Sequence, residues 1–474
     1  MSRPVLKLFL GFLLCVCFSS KKVWAQQNLS VDSPNFIVIY IDDLRWDALG
    51  ASGNSLISTP NIDSLASAGH YFPNSFVTLS ICTPSRAAFL TGKYGSQNGV
   101  MSQSHNTVKP EIKSVAQYLK NAGYKTSVFG KWHISNLPKS MGFDYEYYFR
   151  GLVPYWDVTY ILNGQKTKTK GFVDDVTVEG AINYLREISG SGSPFFMWLN
   201  TFAPHMDEDF SWSARGRTLS HYPTDEMPVP KTWPADFSGM PPYIKTHRPH
   251  QRALEYGYDR AYPLKSHVRG YYAAATDMDA ALGKLFKSLK NMGFLNDTYI
   301  ILMGDNGWFM GEHGLTSKVL AYEESIKVPL IVSGPGIEHK SSDELMLNID
   351  IMPSVLDLAG LSVPNDIQGE SFKPLLTMGT PNKTTWRKNI FYEAPVPVHG
   401  SKPHYALRTH EWKLIQTFNE ENPDKLIYEE LYHIASDPNE TTNLVEKKNE
   451  KSILNSLREI LKNKIEISKN AAAN

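Results

Sequence analysis

Cysteine is scarce in this chain: 474 residues carry three, at positions 15, 17 and 82. That excludes a fold stapled by disulfides. Net charge is also missing, since 48 Lys and Arg balance 48 Asp and Glu. A neutral balance gives no electrostatic case for binding nucleic acid or an anionic membrane surface. Long apolar runs are absent apart from Leu8–Phe18, which is too short for a comfortable membrane span. No internal repeat or low-complexity tract is visible. What remains is a globular chain, 42% hydrophobic, of one large or two unequal domains.

The short apolar run has the layout of an export signal. Arg3 and Lys7 precede it, and Val23-Trp24-Ala25 supplies a small-residue cleavage site. Residues 1–25 are therefore expected to be removed, leaving a periplasmic or secreted protein without stable membrane insertion. A lipoprotein built on Cys15 or Cys17 is the alternative, but the residues before them make a poor lipobox. Cleavage leaves Cys82 as the one cysteine, in a compartment where a thiol is a liability unless it is used.

Cys82 opens the stretch Cys82-Thr83-Pro84-Ser85-Arg86, which reads as the start of a short helix. Pro84 fits its first position and Gly92 its C-terminal stop. Cys82 then lies just before the N-terminus, where free N–H groups favour an anion, and Arg86 adds a fork of donors about one turn in.

Asn35–Ile41, Phe195–Leu199, Thr298–Met303 and Val328–Val332 are continuous apolar, β-branched runs, the mark of strands buried on both faces. Lys125–Phe129 reads as a further strand. The intervening segments have helical spacing at Ile112–Ala122, Val176–Ile188 and Tyr271–Lys290. This alternation predicts an α/β fold with a large mixed, mostly parallel sheet sandwiched by helices. Polar residues follow the strands: Asp42 and Asp43, Lys131 and His133, His205, then Asp305 and Asn306. The C-terminal ends of such strands are where open α/β sheets bind ligands. Adjacent carboxylates there suit a hard cation, although a pair of surface turn acids has the same sequence.

Residues 206–266 lack clear periodicity and are rich in Pro and aromatic residues. They read as a substrate-side insertion, with Trp212, Tyr222, Trp233, His247, Arg248 and His250 suited to an anionic sugar. From about residue 365 short strands with close turns and a helix over Val445–Ile465 predict a small α+β domain. The expected division is a catalytic domain over 26–364 and a C-terminal subdomain over 365–474.

Taken in order, Asp42-Asp43, Cys82-Thr83-Pro84-Ser85-Arg86, Gly130-Lys131-Trp132-His133, Ala203-Pro204-His205 and Gly304-Asp305-Asn306-Gly307 through Lys318 resemble the type I sulfatases of the alkaline-phosphatase superfamily. Tyr322–Pro329 and Glu430–Leu444 are similar too. The resemblance implies that Cys82 is converted to formylglycine by a formylglycine-generating or anaerobic sulfatase-maturating enzyme. The hydrated aldehyde would attack sulfur and then collapse to release sulfate. It implies a calcium ion held by Asp42, Asp43, residue 82, Asp305 and Asn306. Arg86 and Lys131 would hold hydrate and sulfate, His133 would assist the nucleophile, and His205 with Lys318 would contact the leaving group, His205 as general acid. His313 lies nearby as a candidate substrate contact.

The expected substrate is a sulfated oligo- or polysaccharide: an algal glycan such as ulvan or carrageenan, or a glycosaminoglycan or mucin glycan. Three other readings stand beside it: a phosphonate or phosphodiester hydrolase on the same scaffold, an inactive glycan-binding homologue, and a thiol hydrolase using Cys82.

Overall fold

The computed structural model describes residues 33–377, 386–398 and 400–473. The expected export signal lies outside them. Among the described residues no helix is long and apolar enough to cross a membrane.

The first strand, β1 (Asn35–Ile41), is buried along its whole length because helices cover both faces of the sheet. Alternation divides its side chains. Ile37, Ile39 and Ile41 pack in a cluster with the helices Val173–Ile188 and Ala261–Asn291. Phe36, Val38 and Tyr40 join the opposite cluster, with the helices Cys82–Thr91, Val115–Asn121 and Ile351–Leu358.

The sheet continues through β2 (His70–Phe76), β3 (Lys125–Lys131), β4 (Tyr145–Phe149), β5 (Thr159–Leu162) and β6 (Gln165–Lys168). Next come β7 (Phe195–Asn200), β8 (Thr298–Gly304) and the small antiparallel pair β9 (Phe309–Met310) and β10 (Thr316–Ser317). β11 (Lys327–Ser333), β12 (Lys340–Ser341) and β13 (Met346–Leu347) complete it. The order is β12-β2-β11-β8-β1-β7-β3-β4-β5-β6, with β13 also on β2. The central run β8-β1-β7-β3-β4 is parallel, and β11 lies antiparallel to both neighbours. The fold is the mixed, mostly parallel sheet that the strand pattern predicts.

Parallel register is what assembles the site. Ile41 pairs with Gly304, Tyr40 with Asn200, and Asn200 with Gly130. The residues following β8, β1, β7 and β3 therefore emerge side by side on one edge. Gly130 is required there: its φ is +80°, and a Cβ would lie 1.8 Å from the Asn200 carbonyl oxygen.

Several boundaries differ from expectation. The key helix begins at Cys82 itself, with Ile81 as N-cap and Pro84 third, while Gly92 ends it in the left-handed conformation as expected. The long helix starts at Ala261, ten residues before Tyr271, and so takes up the end of the insertion. The rest of the insertion carries only short helical turns, of which Arg248–Glu255 is the longest. β2 and β4–β6, toward the two flanks of the sheet, are amphipathic or polar strands without the apolar run that marks β1.

The C-terminal part is a four-stranded antiparallel sheet, β14 (Asn389–Ala394), β15 (His404–Thr409), β16 (Trp412–Phe418) and β17 (Leu426–His433). The helix Lys451–Ala473, later in the chain than Val445–Ile465, covers one face through Leu454, Leu457, Leu461 and Ile465. The other face packs on the larger layer through Ile390, Tyr392, Ala406, Ile415 and Tyr432 against Leu79, Ile81, Phe309 and Tyr322.

A buried ion cluster crosses that junction. Lys413, fully buried, meets Glu323 and Glu440 at 2.8 Å each, and Arg408 meets Glu323 at 3.1 Å. Removing Lys413 strands the buried Glu440 carboxylate and leaves Glu323 with Arg408 alone. Lys413→Met is expected to destabilise the protein by about 3–5 kcal/mol, measured by denaturant unfolding. An unchanged midpoint would show the cluster to be neutral for stability.

Candidate active site

Three carboxylates, Asp42, Asp43 and Asp305, sit almost completely out of solvent at the sheet edge, with Cys82 at 1% exposure. Three cations, Arg86, Lys131 and Lys318, balance them, each 4% exposed or less. Arg86 is the most constrained. Its Nε and Nη2 donate to Asp305 Oδ2 at 3.0 and 2.8 Å, and Nη1 donates to the Lys131 carbonyl and Asn200 Oδ1 at 2.7 and 2.8 Å. Asp305 Oδ1 in turn accepts the Asp43 amide at 3.0 Å. One side chain from the Cys82 helix thus ties together the ends of β3, β7 and β8.

Lys131 Nζ pairs with Asp42 Oδ2. Burial works to raise the Asp42 pKa, but Lys131, His205, Arg86 and Lys318 together hold it well below the usual carboxylate range. Burial, and then the Asp42 charge, push Asp305 up. The Cys82 thiol is pushed well above its ordinary value by burial first and the Asp42 charge second. Its Sγ donates to Asp42 Oδ1 at 3.1 Å. Burial and the Asp42 charge disfavour the thiolate that a thiol hydrolase needs.

The donor set fits a cation. Asp42, Asp43, Cys82 and His205 place ligand atoms within 4.8 Å of one another. Asp42 Oδ2 meets only the Lys131 ammonium, and Asp43 Oδ2 only the more distant His205 Nε2 at 3.5 Å. The Lys318 ammonium already serves as a cation there, touching Cys82 Sγ at 2.9 Å, Asn306 Oδ1 at 3.3 Å and Asp43 Oδ1. Asp305, expected in the ligand set, has both oxygens hydrogen-bonded to protein; His205, expected to transfer protons, joins the cluster. Asn306 also donates to Asp43 Oδ1 at 2.6 Å. Oxygen-dominated donors favour calcium or magnesium over zinc.

Burial disfavours the charged form of both histidines near the cluster. Burial, followed by the Lys131 charge, takes His133 well below its ordinary value, and its Nδ1 is buried without a partner. Burial also lowers His205, with Asp43 opposing. His205 Nδ1 is 2.6 Å from the Met206 carbonyl, so Nδ1 carries the proton and Nε2 faces Asp43 Oδ2 at 3.5 Å.

The remaining sequence candidates are engaged elsewhere. His313 stacks on Tyr322 and lies 3.8 Å from Glu324. His250 bonds the Gly314 carbonyl at 2.8 Å, and Arg248 pairs with Glu255 at 2.6 Å. His247 is 2% exposed. Trp212 donates to the Pro204 carbonyl at 2.6 Å, Trp233 to the Tyr258 carbonyl at 2.7 Å, and Tyr222 bonds Thr276 at 2.6 Å. Sequence reasoning missed Asn200 and Tyr271. Asn200 is a polar end to an apolar strand, the signal that revealed Asp42. Tyr271, whose hydroxyl donates to the Asp43 carbonyl at 2.7 Å, looks like any aromatic on a buried helix face.

The model of the family described as Sulfatase matches residues 34–361, and that described as N-sulphoglucosamine sulphohydrolase, C-terminal, matches 311–467. The chain belongs to the sulfatase family and is a sulfuric ester hydrolase. It is 29% identical to an N-acetylglucosamine-6-O-sulfatase of Bacteroides thetaiotaomicron, over 92% of this chain and 88% of that one. It is 27% identical to an ulvan-active sulfatase of Formosa agariphila, over 98% and 86%. A protein solved in complex with its substrate, D-glucosamine-2-N,6-O-disulfate, superposes with a TM-score of 0.82 at 28% identity, covering 92% of this chain and 98% of that one.

Filling the cluster should stabilise the fold. Calcium at about a hundred times its Kd is expected to add about 2.7 kcal/mol, seen as a rise in Tm that a chelator reverses. Asp43→Asn should abolish the rise. A Tm indifferent to calcium and magnesium in the native chain would overturn the cation site.

Proposed function

We propose that this enzyme removes O-sulfate from a saccharide, with a glucosamine 6-O-sulfate unit as the preferred substrate class and formylglycine at position 82. The observation that carries the reading is the position of residue 82. It opens its helix 3.1 Å from Asp42 and 2.9 Å from Lys318, in a chain 29% identical to an N-acetylglucosamine-6-O-sulfatase over 92% of its length. Two comparisons favour a glucosamine over an algal glycan: that relative and the structure bound to D-glucosamine-2-N,6-O-disulfate.

Calcium, held by Asp42, Asp43, residue 82 and Asn306, would supply Lewis acidity and neutralise sulfate charge. Formylglycine would supply a nucleophilic oxygen that a cysteine lacks. The chain's own groups do the rest. Lys131 presents its charge toward residue 82 through Asp42, and Lys318 presents its own directly. Preorganised cations of this kind favour the charge that develops on the sulfuryl oxygens. Arg86 holds the ends of the strands in place and adds a fixed positive charge beside Asp42, at 3.8 Å. His205 Nδ1–H is fixed on the Met206 carbonyl, so in the charged ring, which the Asp43 carboxylate beside Nε2 favours, Nε2 carries the proton that passes to the departing sugar oxygen. His133, kept neutral by its surroundings, suits acceptance of a proton from the nucleophile. Export to the periplasm or the exterior belongs to the same reading, since polymeric sulfated glycans are met outside the cell.

Sulfate release from N-acetylglucosamine 6-sulfate, compared with ulvan, carrageenan and aryl phosphodiester substrates, tests the substrate. Faster turnover of a phosphodiester than of every sulfate would overturn the assignment. Mass analysis of the tryptic peptide bearing residue 82, from natively made enzyme, should show an aldehyde in place of the thiol. Unmodified cysteine in active enzyme would sink the nucleophile. Cys82→Ala is expected to abolish turnover, and Lys131→Ala to lower kcat by about 10²–10³.

A further inference from the structure

The segment Thr201–Met206, which carries His205, is held by side chains from three separate parts of the chain. Asp174, fully buried in the first turn of the Val173–Ile188 helix, accepts the Phe202 amide on Oδ1 at 2.7 Å and the Ala203 amide on Oδ2 at 3.0 Å. Trp212 Nε1 donates to the Pro204 carbonyl at 2.6 Å. Tyr155, 1% exposed, donates its hydroxyl to the His205 carbonyl at 2.6 Å. Within the segment His205 N–H returns to the Phe202 carbonyl at 2.9 Å, and Thr201 N–H reaches the Tyr40 carbonyl of β1 at 3.0 Å.

Buried backbone groups must find partners, but helices and strands normally supply them. Here an irregular segment is satisfied by a carboxylate, an indole and a phenol, each reaching in from a different element. The rings add to the hold. Tyr155 packs edge-on against Phe202 at 5.3 Å, and Trp212 packs edge-on against Trp308, which lies 6.3 Å from His205. Backbone error in this segment passes directly to the imidazole, because Nδ1 bonds the carbonyl of the next residue, Met206.

We propose that Asp174, Tyr155 and Trp212 are positioning residues for His205: they fix Nε2 relative to the leaving oxygen and do not touch the substrate. The inference rests on the reading of His205 as the general acid. It also gives the insertion a role different from sugar contact, since Trp212 is its anchor on the catalytic segment. A side chain misplaced by about 1 Å costs up to a hundredfold in rate.

Leaving-group chemistry separates positioning from general structural damage. A phenol of low pKa departs without a proton, whereas a sugar alcohol needs one. Tyr155→Phe removes the donor and keeps the ring; Trp212→Phe removes the donor and keeps a smaller aromatic side chain, so its Tm is read beside its kcat; Asp174→Asn serves as a third variant. Each is measured for kcat and KM on N-acetylglucosamine 6-sulfate and on 4-nitrophenyl sulfate, with Tm recorded alongside. The expected result is a fall in kcat on the sugar sulfate of about tenfold, KM unchanged, and activity on the aryl sulfate kept within about twofold. Equal losses on both substrates would reduce these residues to structural ones. A raised KM on the sugar alone would make them substrate contacts, and either result overturns the proposal. His205→Ala is the control. If it loses both activities equally, the general-acid reading fails and with it this proposal. If it loses the sugar activity alone while the three variants match wild type, only the positioning role fails.

Discussion

Everything at the sheet edge depends on compensating charge buried out of reach of water. Asp42, Asp43 and Asp305 cannot stay ionised together in a low-dielectric pocket without cations in contact, and Arg86, Lys131 and Lys318 are those cations. The arrangement is costly as a stabilising device, since an apolar core would hold the strands as well. On the proposed reading its use is to keep a strong negative field ready for a divalent ion and a strong positive field ready for an oxyanion, a few ångströms apart. Arg86 links the two: the carboxylate it grips with two donors, Asp305, also receives the amide of Asp43.

The fold converts that local demand into topology. Four parallel strands in register deliver their last residues to one edge, so groups more than a hundred residues apart meet without any long reach. β1 and β8 are separated by the whole insertion and the Ala261–Asn291 helix, yet Ile41 and Gly304 are partners. The same long helix returns to the site through Tyr271, whose hydroxyl joins the Asp43 carbonyl to the Arg45 amide. Helix and site are therefore not separate layers of the design.

What could be read from the chain followed from how strongly each feature is confined to one stretch of sequence. β1, β7, β8 and β11 are buried on both faces, so their apolar runs announced them, and the polar residues that end them announced the site. β2 carries His70, Pro73, Asn74 and Ser75 among its seven residues, and only its pairing with β11, β12 and β13 makes it a strand. The insertion keeps its partners hidden for a related reason. Trp212, Trp233 and Tyr222 have the composition of a sugar-binding surface, but their polar atoms bond protein carbonyls and hydroxyls across distant segments. No local pattern reports such partners.

The C-terminal sheet also reaches the centre of the molecule. Tyr392 bonds Ser80 at 2.9 Å and the Val319 carbonyl, and His404 lies 3.2 Å from that same carbonyl, each contact a few residues from Cys82 or next to Lys318. These strands are synthesised some three hundred residues after Cys82. The environment that buries residue 82 is thus closed by the last part of the chain to be made, and for most of translation that residue lies in an unfinished pocket. On the proposed reading, an enzyme that modifies residue 82 would meet it before β14 and β15 are made, and the order of synthesis would set that interval.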